Sequence, residues 1–424
     1  GTIEFNDRLT IGNSNDIYSE RNFNCDSIVV IGNSNTLYFQ RTWNNRSMTT
    51  IGDGNNITGT NTVDFDILDV GDNNTINLTA NIDFNENAVF ADTNTIAFGA
   101  NGGEVDVFEN LTFGIDNEIT FNRRYDHGPA GAGDSLMLGR LTVAEFLNPS
   151  LNSVFEDVYL DDESRITFRN GANTFVNIIV NDFSTVELSA GGTNTVSGTF
   201  TANEDCESPP IVRSGTGGNQ ATIDFTGSAQ TWAGVILQDL AVTTSNLLTV
   251  DEGVDNGNLS VLDNTTASPG PPVAGTTIWL TNERPGTTLY WVGTDGSASG
   301  DYNWSNRFNW STSSGGNGLL NTCVPNSKDN VVFDANSFTA SGQQVVIDAS
   351  FVICNDMTWT GITSGAELVG NTSNTIFVVE DLTLDLPGRS VGGRLYDPKP
   401  GEKGRGCLLY FHGGGFVIGG LESH

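Results

Sequence analysis

The chain has 424 residues and a formal net charge of −33, because 51 Asp and Glu residues face only 18 Lys and Arg residues. A surface this acidic repels phosphate groups, so we expect no nucleic-acid partner. No apolar run reaches the roughly 18 residues that a membrane-spanning helix needs, so no membrane span is expected. The chain does not begin with Met and stops abruptly after Ser423-His424, and we interpret it as a fragment of a longer protein.

A short phrase recurs six times in the first third of the chain, at steps of 20, 20, 19, 20 and 23 residues. A fixed period of this size is typical of a solenoid. Turn-forming Gly, Asn and Asp alternate with strand-forming Ile, Val, Thr and Phe, which favours β coils over helices. The sequence therefore predicts an all-β fold led by a parallel β-solenoid of about 20-residue coils over residues 1–122. The phrases are Ile11-Gly12-Asn13-Ser14-Asn15, Ile31-Gly32-Asn33-Ser34-Asn35, Ile51-Gly52-Asp53-Gly54-Asn55, Val70-Gly71-Asp72-Asn73-Asn74, Phe90-Ala91-Asp92-Thr93-Asn94 and Phe113-Gly114-Ile115-Asp116-Asn117.

Two positions of the repeat carry specific expectations. The first residues of the phrases, Ile11, Ile31, Ile51 and Val70, should stack in register. The final Asn of each phrase should form an amide ladder along the stack, and we favour this structural role over ligand binding. Alternation over residues 63–67 (VDFDI) should place apolar side chains on one face and carboxylates on the other.

Beyond the regular repeat the pattern loosens. Residues 123–129 (RRYDHGP) break it, and we predict a loop there. A looser continuation of the solenoid is predicted over 123–266, where Asn173-Thr174-Phe175 and Asn194-Thr195-Val196 lie 21 residues apart. Proline denies residues 267–275 a place in a sheet, so this segment is predicted to be a linker. A Trp-rich β module over 276–385 and a chemically different tail over 386–424 complete the predicted domains.

The Trp-rich segment resembles a β-rich module repeated in very large, secreted cell-surface proteins of the Bacteroidetes type. The motifs that carry the resemblance are Leu289-Tyr290-Trp291-Val292-Gly293, Asp301 to Ser311, Cys323-Val324-Pro325, Asp329 to Phe338 and Cys354 to Gly361. The resemblance implies export, surface attachment and adhesion- or gliding-type roles. It also implies a Cys323–Cys354 disulfide in an oxidising compartment, with two buried free thiols as the alternative. We expect the tryptophans to pack in the core rather than to bind sugars.

The tail closely resembles the start of an α/β-hydrolase of the hormone-sensitive-lipase-like esterase family. Its motif is His412-Gly413-Gly414-Gly415 after an apolar strand. By resemblance, Gly413, Gly414 and Gly415 form the oxyanion hole, and His412 shapes the loop. The Gly-x-Ser-x-Gly nucleophile elbow that this family needs occurs nowhere in the 424 residues. No catalytic set is therefore complete, and we expect this chain to hydrolyse no ester.

The sequence thus predicts an extracellular, cell-surface protein with a structural or adhesion function. One alternative is the N-terminal part of a secreted carboxylesterase whose Ser, Asp and His lie beyond residue 424. A weaker alternative is a polysaccharide-binding β-helix. Surface polysaccharide or other cells are the expected partners, and no cofactor is expected. Acidic turns at 53–56 and 251–257 offer oxygen atoms to calcium, but neither matches a known calcium loop and solvated turns are favoured.

Overall fold

The structure is a computed structural model. It describes residues 1–99, 104–127, 134–147, 152–169, 171–202, 209–216, 219–243, 248–255, 261–262, 278–281, 286–293, 302–318, 323–338, 340–348, 351–362, 366–370, 375–378, 381–386 and 389–394. The described residues contain β-strands and a single 3₁₀ turn, Arg307–Asn309, and no α-helix. The predicted all-β fold is confirmed.

The chain divides into two compact units. The first comprises Gly1–Asn203, Pro210–Asp251 and Gly257–Thr281, and the second comprises Glu204–Pro209, Glu252–Asn256 and Asn282–His424. The predicted linker at 267–275 lies outside the described residues. The first unit continues to Thr281 because Ile278–Thr281 pairs in parallel with Leu248–Asp251.

The first unit is a parallel β-solenoid. A typical coil supplies two strand segments to an 18-stranded sheet, here called the wide sheet, and one strand to a 12-stranded sheet, the narrow sheet. Longer strands such as Trp43–Ile51 run through both segments of the wide sheet without a break. Each coil is therefore three-sided, and every strand pairs with the strand about one period away.

The wide sheet contains Thr2–Phe5, Leu9–Ile11, Asn22–Cys25, Val29–Ile31, Trp43–Ile51, Val63–Val70, Ile82–Phe84, Ala88–Phe90, Val105–Val107, Leu111–Phe113, Tyr125–His127, Ser135–Leu138, Val154–Leu160, Thr174–Val180, Thr193–Val196, Phe200–Thr201, Ala221–Phe225 and Leu240–Val242. The narrow sheet contains Asp16–Ser19, Thr36–Phe39, Asn56–Gly59, Thr75–Leu78, Thr95–Phe98, Glu118–Phe121, Val143–Phe146, Arg165–Phe168, Thr185–Leu188, Ile211–Ser214, Ile236–Gln238 and Val254–Asp255. A four-stranded sheet adds Gln230–Ala233, Leu248–Asp251, Val261–Leu262 and Ile278–Thr281.

The predicted register is confirmed. Ile11 pairs with Ile31, Ile31 with Ile51, and Ile51 with Val70. The looser repeat also holds, since Thr174 pairs with Thr195 and Phe175 with Val196. The fixed period therefore encodes the contacts between coils directly.

The core runs along the inside of the stack. Inward positions of both sheets carry Ile, Leu, Val and Phe that are almost fully buried, and each such side chain contributes roughly 1.5–3 kcal/mol of burial free energy. Successive coils stack their rings on one another: the Phe121 and Phe146 centroids are 4.4 Å apart at 2°, and those of Phe90 and Phe113 are 5.0 Å apart at 20°. The interior is thus filled by side chains of neighbouring coils.

Residues 123–129 correct one prediction. A loop was expected there, but Tyr125–His127 is a strand that pairs in parallel with Val105–Val107. Tyr125 is fully buried and packs against Phe155, with ring centroids 4.8 Å apart. The pattern was missed because Tyr and His occupy inward positions that carry Val in the preceding coil.

The second unit also contains mostly parallel strands. Its six-stranded sheet contains Thr288–Trp291, Trp310–Ser311, Asn330–Phe333, Met357–Trp359, Asp381–Leu386 and Arg389–Arg394. Two two-stranded sheets pair Gln344–Val346 with Glu367–Val369 and Phe351–Cys354 with Thr375–Val378. Trp291, Trp304 and Trp310 are almost fully buried around Phe333, so the expected core role of these tryptophans is confirmed.

Candidate functional site

The regularly spaced asparagines from Asn15 to Asn117 lie at one corner of successive coils and form a ladder. The Asn55 side-chain oxygen (Oδ1) accepts hydrogen bonds from the backbone N–H and the side-chain amide of Asn35, at 2.8 and 3.0 Å. Asn74 Oδ1 accepts the same pair from Asn55. The amide of Asn55 also donates to the Gly52 carbonyl. The oxygen and the amide of these buried side chains are thus already hydrogen-bonded within the stack. We therefore assign the ladder a structural role rather than a role in ligand binding.

The turn that precedes each ladder residue explains its sequence. The residue just before the ladder Asn adopts a left-handed backbone, with φ of 59° at Ser34 and 64° at Gly54. Two residues earlier, a Cβ on Gly52 would lie 2.0 Å from Asn33 Oδ1 of the preceding coil. That oxygen is needed because it accepts the Asp53 backbone N–H at 3.0 Å. Glycine therefore recurs there mainly to admit a side chain of the neighbouring coil.

A row of carboxylates lies on the outer side of the wide sheet. Asp64 pairs with Asp83, Asp83 with Asp106, and Asp106 with Asp126. Paired residues of adjacent parallel strands are about 4.8 Å apart, so these charges are close neighbours. Alternation along residues 63–67 predicted carboxylates on this face, but their alignment between coils required the observed register.

Burial raises the pKa of three members of the row, Asp83, Asp106 and Asp126, and neighbouring carboxylates add to the effect. Asp83 is half-buried, and burial, with Asp106 and Asp64 on either side, raises its pKa to about 6. Burial followed by Glu104 and Asp126 raises the pKa of Asp106, which Arg124 partly opposes. Arg124 bonds Asp126 and so neutralises one end of the row.

The outer side of the narrow sheet is chemically different. Four successive strands present only uncharged side chains there, and we call these eight residues the neutral face: Thr36, Tyr38, Asn56, Thr58, Thr75, Asn77, Thr95 and Ala97. Their strands pair in strict register. Tyr18 adjoins the face and stacks on Tyr38, with ring centroids 5.1 Å apart at 1°, and Tyr18 is 58% exposed. Asp16 and Glu118 are the first charged side chains in the coils on either side.

A buried Tyr–His pair lies in the Tyr125–His127 strand. The Tyr125 hydroxyl is 2.9 Å from His127 Nε2, and the Glu156 backbone N–H donates to His127 Nδ1 at 3.0 Å. Burial lowers the pKa of His127 to about 4, although Asp157 opposes the shift. His127 is only 2% exposed, so the pair is a packing element rather than an accessible acid–base site.

The predicted Cys323–Cys354 disulfide is wrong. Cys354 is a free, fully buried thiol, whereas Cys323 is half-buried and disulfide-bonded elsewhere. The physical reason is strand alternation: Cys354 ends the strand Phe351–Cys354 with its side chain in the core of the second unit. Burial, with Asp356 and Asp329 nearby, raises the pKa of the Cys354 thiol to about 12, so it stays protonated.

The predicted oxyanion residues Gly413, Gly414 and Gly415, and the loop residue His412, lie outside the described residues. The described start of the tail, Arg389–Arg394, pairs antiparallel with Asp381–Leu386 in the second unit. No group of three or more His, Cys, Asp or Glu within the described ranges is arranged to hold a metal ion. In the acidic turn at 53–56, Asp53 Oδ1 already accepts the Asp72 backbone N–H at 3.0 Å.

Comparison with known proteins gives one partial similarity. No protein-family model matches the chain, and no solved structure matches it. A 48-residue stretch, 11% of this chain, is 46% identical to part of the esterase LipI of Mycobacterium tuberculosis (strain ATCC 25618 / H37Rv). The stretch covers only 15% of the length of the esterase, so this similarity does not assign the whole chain to a family. In the part of the chain that the structure describes, no helix combines the length and the apolar character needed to cross a membrane.

Proposed function

We propose that the chain is a structural, adhesion-type protein displayed on the outside of a cell. The observation that carries the proposal is the regular stack of the first unit, whose interior is filled and whose outer sides are long, unbroken β ladders. Such stacks build extended surfaces in which each coil contacts only its neighbours. The resemblance of the second unit to modules of secreted surface proteins supports the same role and the extracellular location.

Adhesion can be tested with the purified 424-residue chain. Beads coated with the chain should be retained on layers of bacterial cells several-fold more than beads coated with serum albumin. The control is the same chain unfolded by heat before coating. Beads that carry the unfolded chain should be retained no better than beads coated with serum albumin. Equal retention of all three bead types would contradict the proposal, and antibody labelling of intact producing cells would test the surface location.

A second candidate function is carboxylic ester hydrolysis by a longer protein that includes this chain. The similarity of 48 residues to an esterase favours it, as does the His412-Gly413-Gly414-Gly415 motif. A backbone oxyanion hole stabilises charge only after a nucleophile has attacked the carbonyl. The 424-residue chain alone should therefore release no nitrophenol from p-nitrophenyl acetate above the buffer rate. Hydrolysis that a serine-directed fluorophosphonate abolishes would show that a nucleophile is present in this chain.

A further inference from the structure

We propose that the neutral face binds a linear, neutral polysaccharide that lies along the stack. This inference rests on the proposed adhesion function and names the surface and the ligand class that would serve it. The face is defined by four strands in register, and its outward side chains are hydroxyls, amides, one methyl and one phenol.

Charge distinguishes this face from the rest of a strongly acidic chain. Across these four coils the narrow sheet presents no carboxylate, although the chain carries 51 acidic residues. The wide sheet carries the row Asp64, Asp83 and Asp106 instead, and Asp64 and Asp83 lie between strands of the neutral face in the chain. An anionic polymer would be repelled by the net charge of −33, whereas a neutral polymer meets no such barrier.

Hydrogen-bonding capacity on the face is free for a ligand. Within the part of the chain that the structure describes, the side chains of Thr36, Asn56, Thr75, Asn77 and Thr95 are exposed and form no hydrogen bond to another side chain or to the backbone. By contrast, Thr60 and Thr79, one step further along the strands, are bonded to backbone carbonyls. Hydroxyl and amide groups both donate and accept, and so do the hydroxyls of sugars.

Repetition suits a polymer rather than a small molecule. Equivalent groups recur about every 4.8 Å along two rows, so successive sugars meet similar partners. Single exposed hydrogen bonds are weak, at about 0.5–1.5 kcal/mol, and useful affinity requires many of them on one chain. The Tyr18 and Tyr38 rings at one end provide apolar surface for the faces of sugars.

The test is co-sedimentation of the full chain with insoluble neutral polysaccharides, namely microcrystalline cellulose, chitin and insoluble xylan. We expect the chain to pellet with at least one of the three. The triple variant Asn56→Ala/Thr75→Ala/Asn77→Ala should bind at least ten-fold more weakly. The matched control Asn24→Ala/Thr112→Ala removes the same kinds of group from the outer side of the wide sheet and should bind as the unmodified chain does.

Three outcomes would overturn the inference. The unmodified chain could pellet with none of the three polysaccharides, or the triple variant could bind as well as the control. Alternatively, sedimentation velocity could show a dimer without polysaccharide that the triple variant abolishes, which would assign the face to a second copy of the chain. Bead retention on cells that survives the triple substitution would leave the adhesion proposal standing while removing this face from it.

Discussion

At the scale of single residues, position relative to the coil decides what an asparagine does. Asn55 and Asn56 are neighbours in sequence, but Asn55 is 1% exposed within the ladder and Asn56 faces solvent. The Asn55 side-chain oxygen accepts hydrogen bonds from both the backbone N–H and the side-chain amide of Asn35. The same residue type thus serves stability at one position and surface chemistry at the next.

Substitution of these two asparagines should separate the roles. Asn55→Ala removes the acceptor of the buried Asn35 backbone N–H and one of the two acceptors of the Asn35 side-chain amide, which keeps its bond to the Gly32 carbonyl. We therefore expect a loss of about 1–3 kcal/mol in unfolding free energy. Asn56→Ala should change it by less than about 0.5 kcal/mol. Urea denaturation followed by circular dichroism measures both, and equal midpoints for the two variants would show that the ladder is not stabilising.

His127 should make the solenoid sensitive to acid. Its pKa in the folded chain is about 4, below the ordinary 6.5, because burial disfavours the charged ring. The unfolded chain therefore binds the proton first, and stability that is complete above pH 6.5 is lost as the pH falls toward 4. The loss amounts to about 3 kcal/mol. His127→Gln keeps a hydrogen-bonding side chain but cannot titrate, so its urea midpoint should fall less between pH 7 and 4 than that of the unmodified chain.

At the scale of elements, the in-register strands of the wide sheet destabilise the fold by aligning carboxylates that repel one another. Stacking places Asp83 between Asp64 and Asp106, and each charge opposes ionisation of the next. Parallel pairing thus repeats a favourable amide contact at the corner and an unfavourable charge contact on the face. The fold tolerates the second because the amide contact recurs from Asn15 to Asn117 and the core continues along the stack.

Asp83→Asn should stabilise the chain near neutral pH. The pKa of Asp83 is raised from 3.8 to about 6, so its favourable contribution is complete below pH 3.8 and is lost as the pH rises through 6. The asparagine variant should therefore have a higher urea midpoint than the unmodified chain at pH 7 and nearly the same midpoint at pH 4. Asp69→Asn is the control, because Asp69 pairs with Thr50 and Val89 and has no charged neighbour in its row. A gain at pH 7 that is equal in both variants would refute the row as its cause.

At the scale of the whole molecule, the first unit behaves as a one-dimensional array. Each coil pairs only with the coils about one period before and after it. Stability in such arrays is roughly a sum of coil and interface terms, so coils are exchangeable units. Removal of a full period should therefore preserve the pattern that fills the core.

Deletion of residues 51–69 tests this expectation. It joins Thr50 to Val70, which occupies the position of Ile51 in the next coil. The register between coils is therefore kept, and each side chain stays on its inward or outward side of the sheet. The deleted chain should retain its β spectrum and unfold cooperatively at a somewhat lower urea concentration. Deletion of residues 51–60 removes half a period and should abolish the cooperative transition. Cooperative unfolding of both variants would show that register does not control the fold.

The sequence by itself determined the solenoid, its period, its stacked apolar positions and its asparagine ladder. The sequence predicts these features because residues that are neighbours in space lie one fixed period apart along the chain. Ile31 and Ile51 pair across adjacent strands, and Asn35 and Asn55 are hydrogen-bonded. The same logic identified Thr174 and Thr195 as partners, although that part of the repeat is less regular.

Only the tertiary structure decided the features that depend on burial and on the path of individual strands. Strand alternation places the Cys354 side chain in the core as a free thiol, whereas Cys323 is disulfide-bonded, and sequence spacing does not reveal this difference. The sequence did not predict the strand Tyr125–His127, because its inward side chains differ from those of the repeat. Tyr125 nevertheless fits the core, where its ring packs against Phe155. The carboxylate row and the neutral face likewise emerge from register between coils, since charge opposes charge, and hydroxyl adjoins amide, only where pairing brings them side by side.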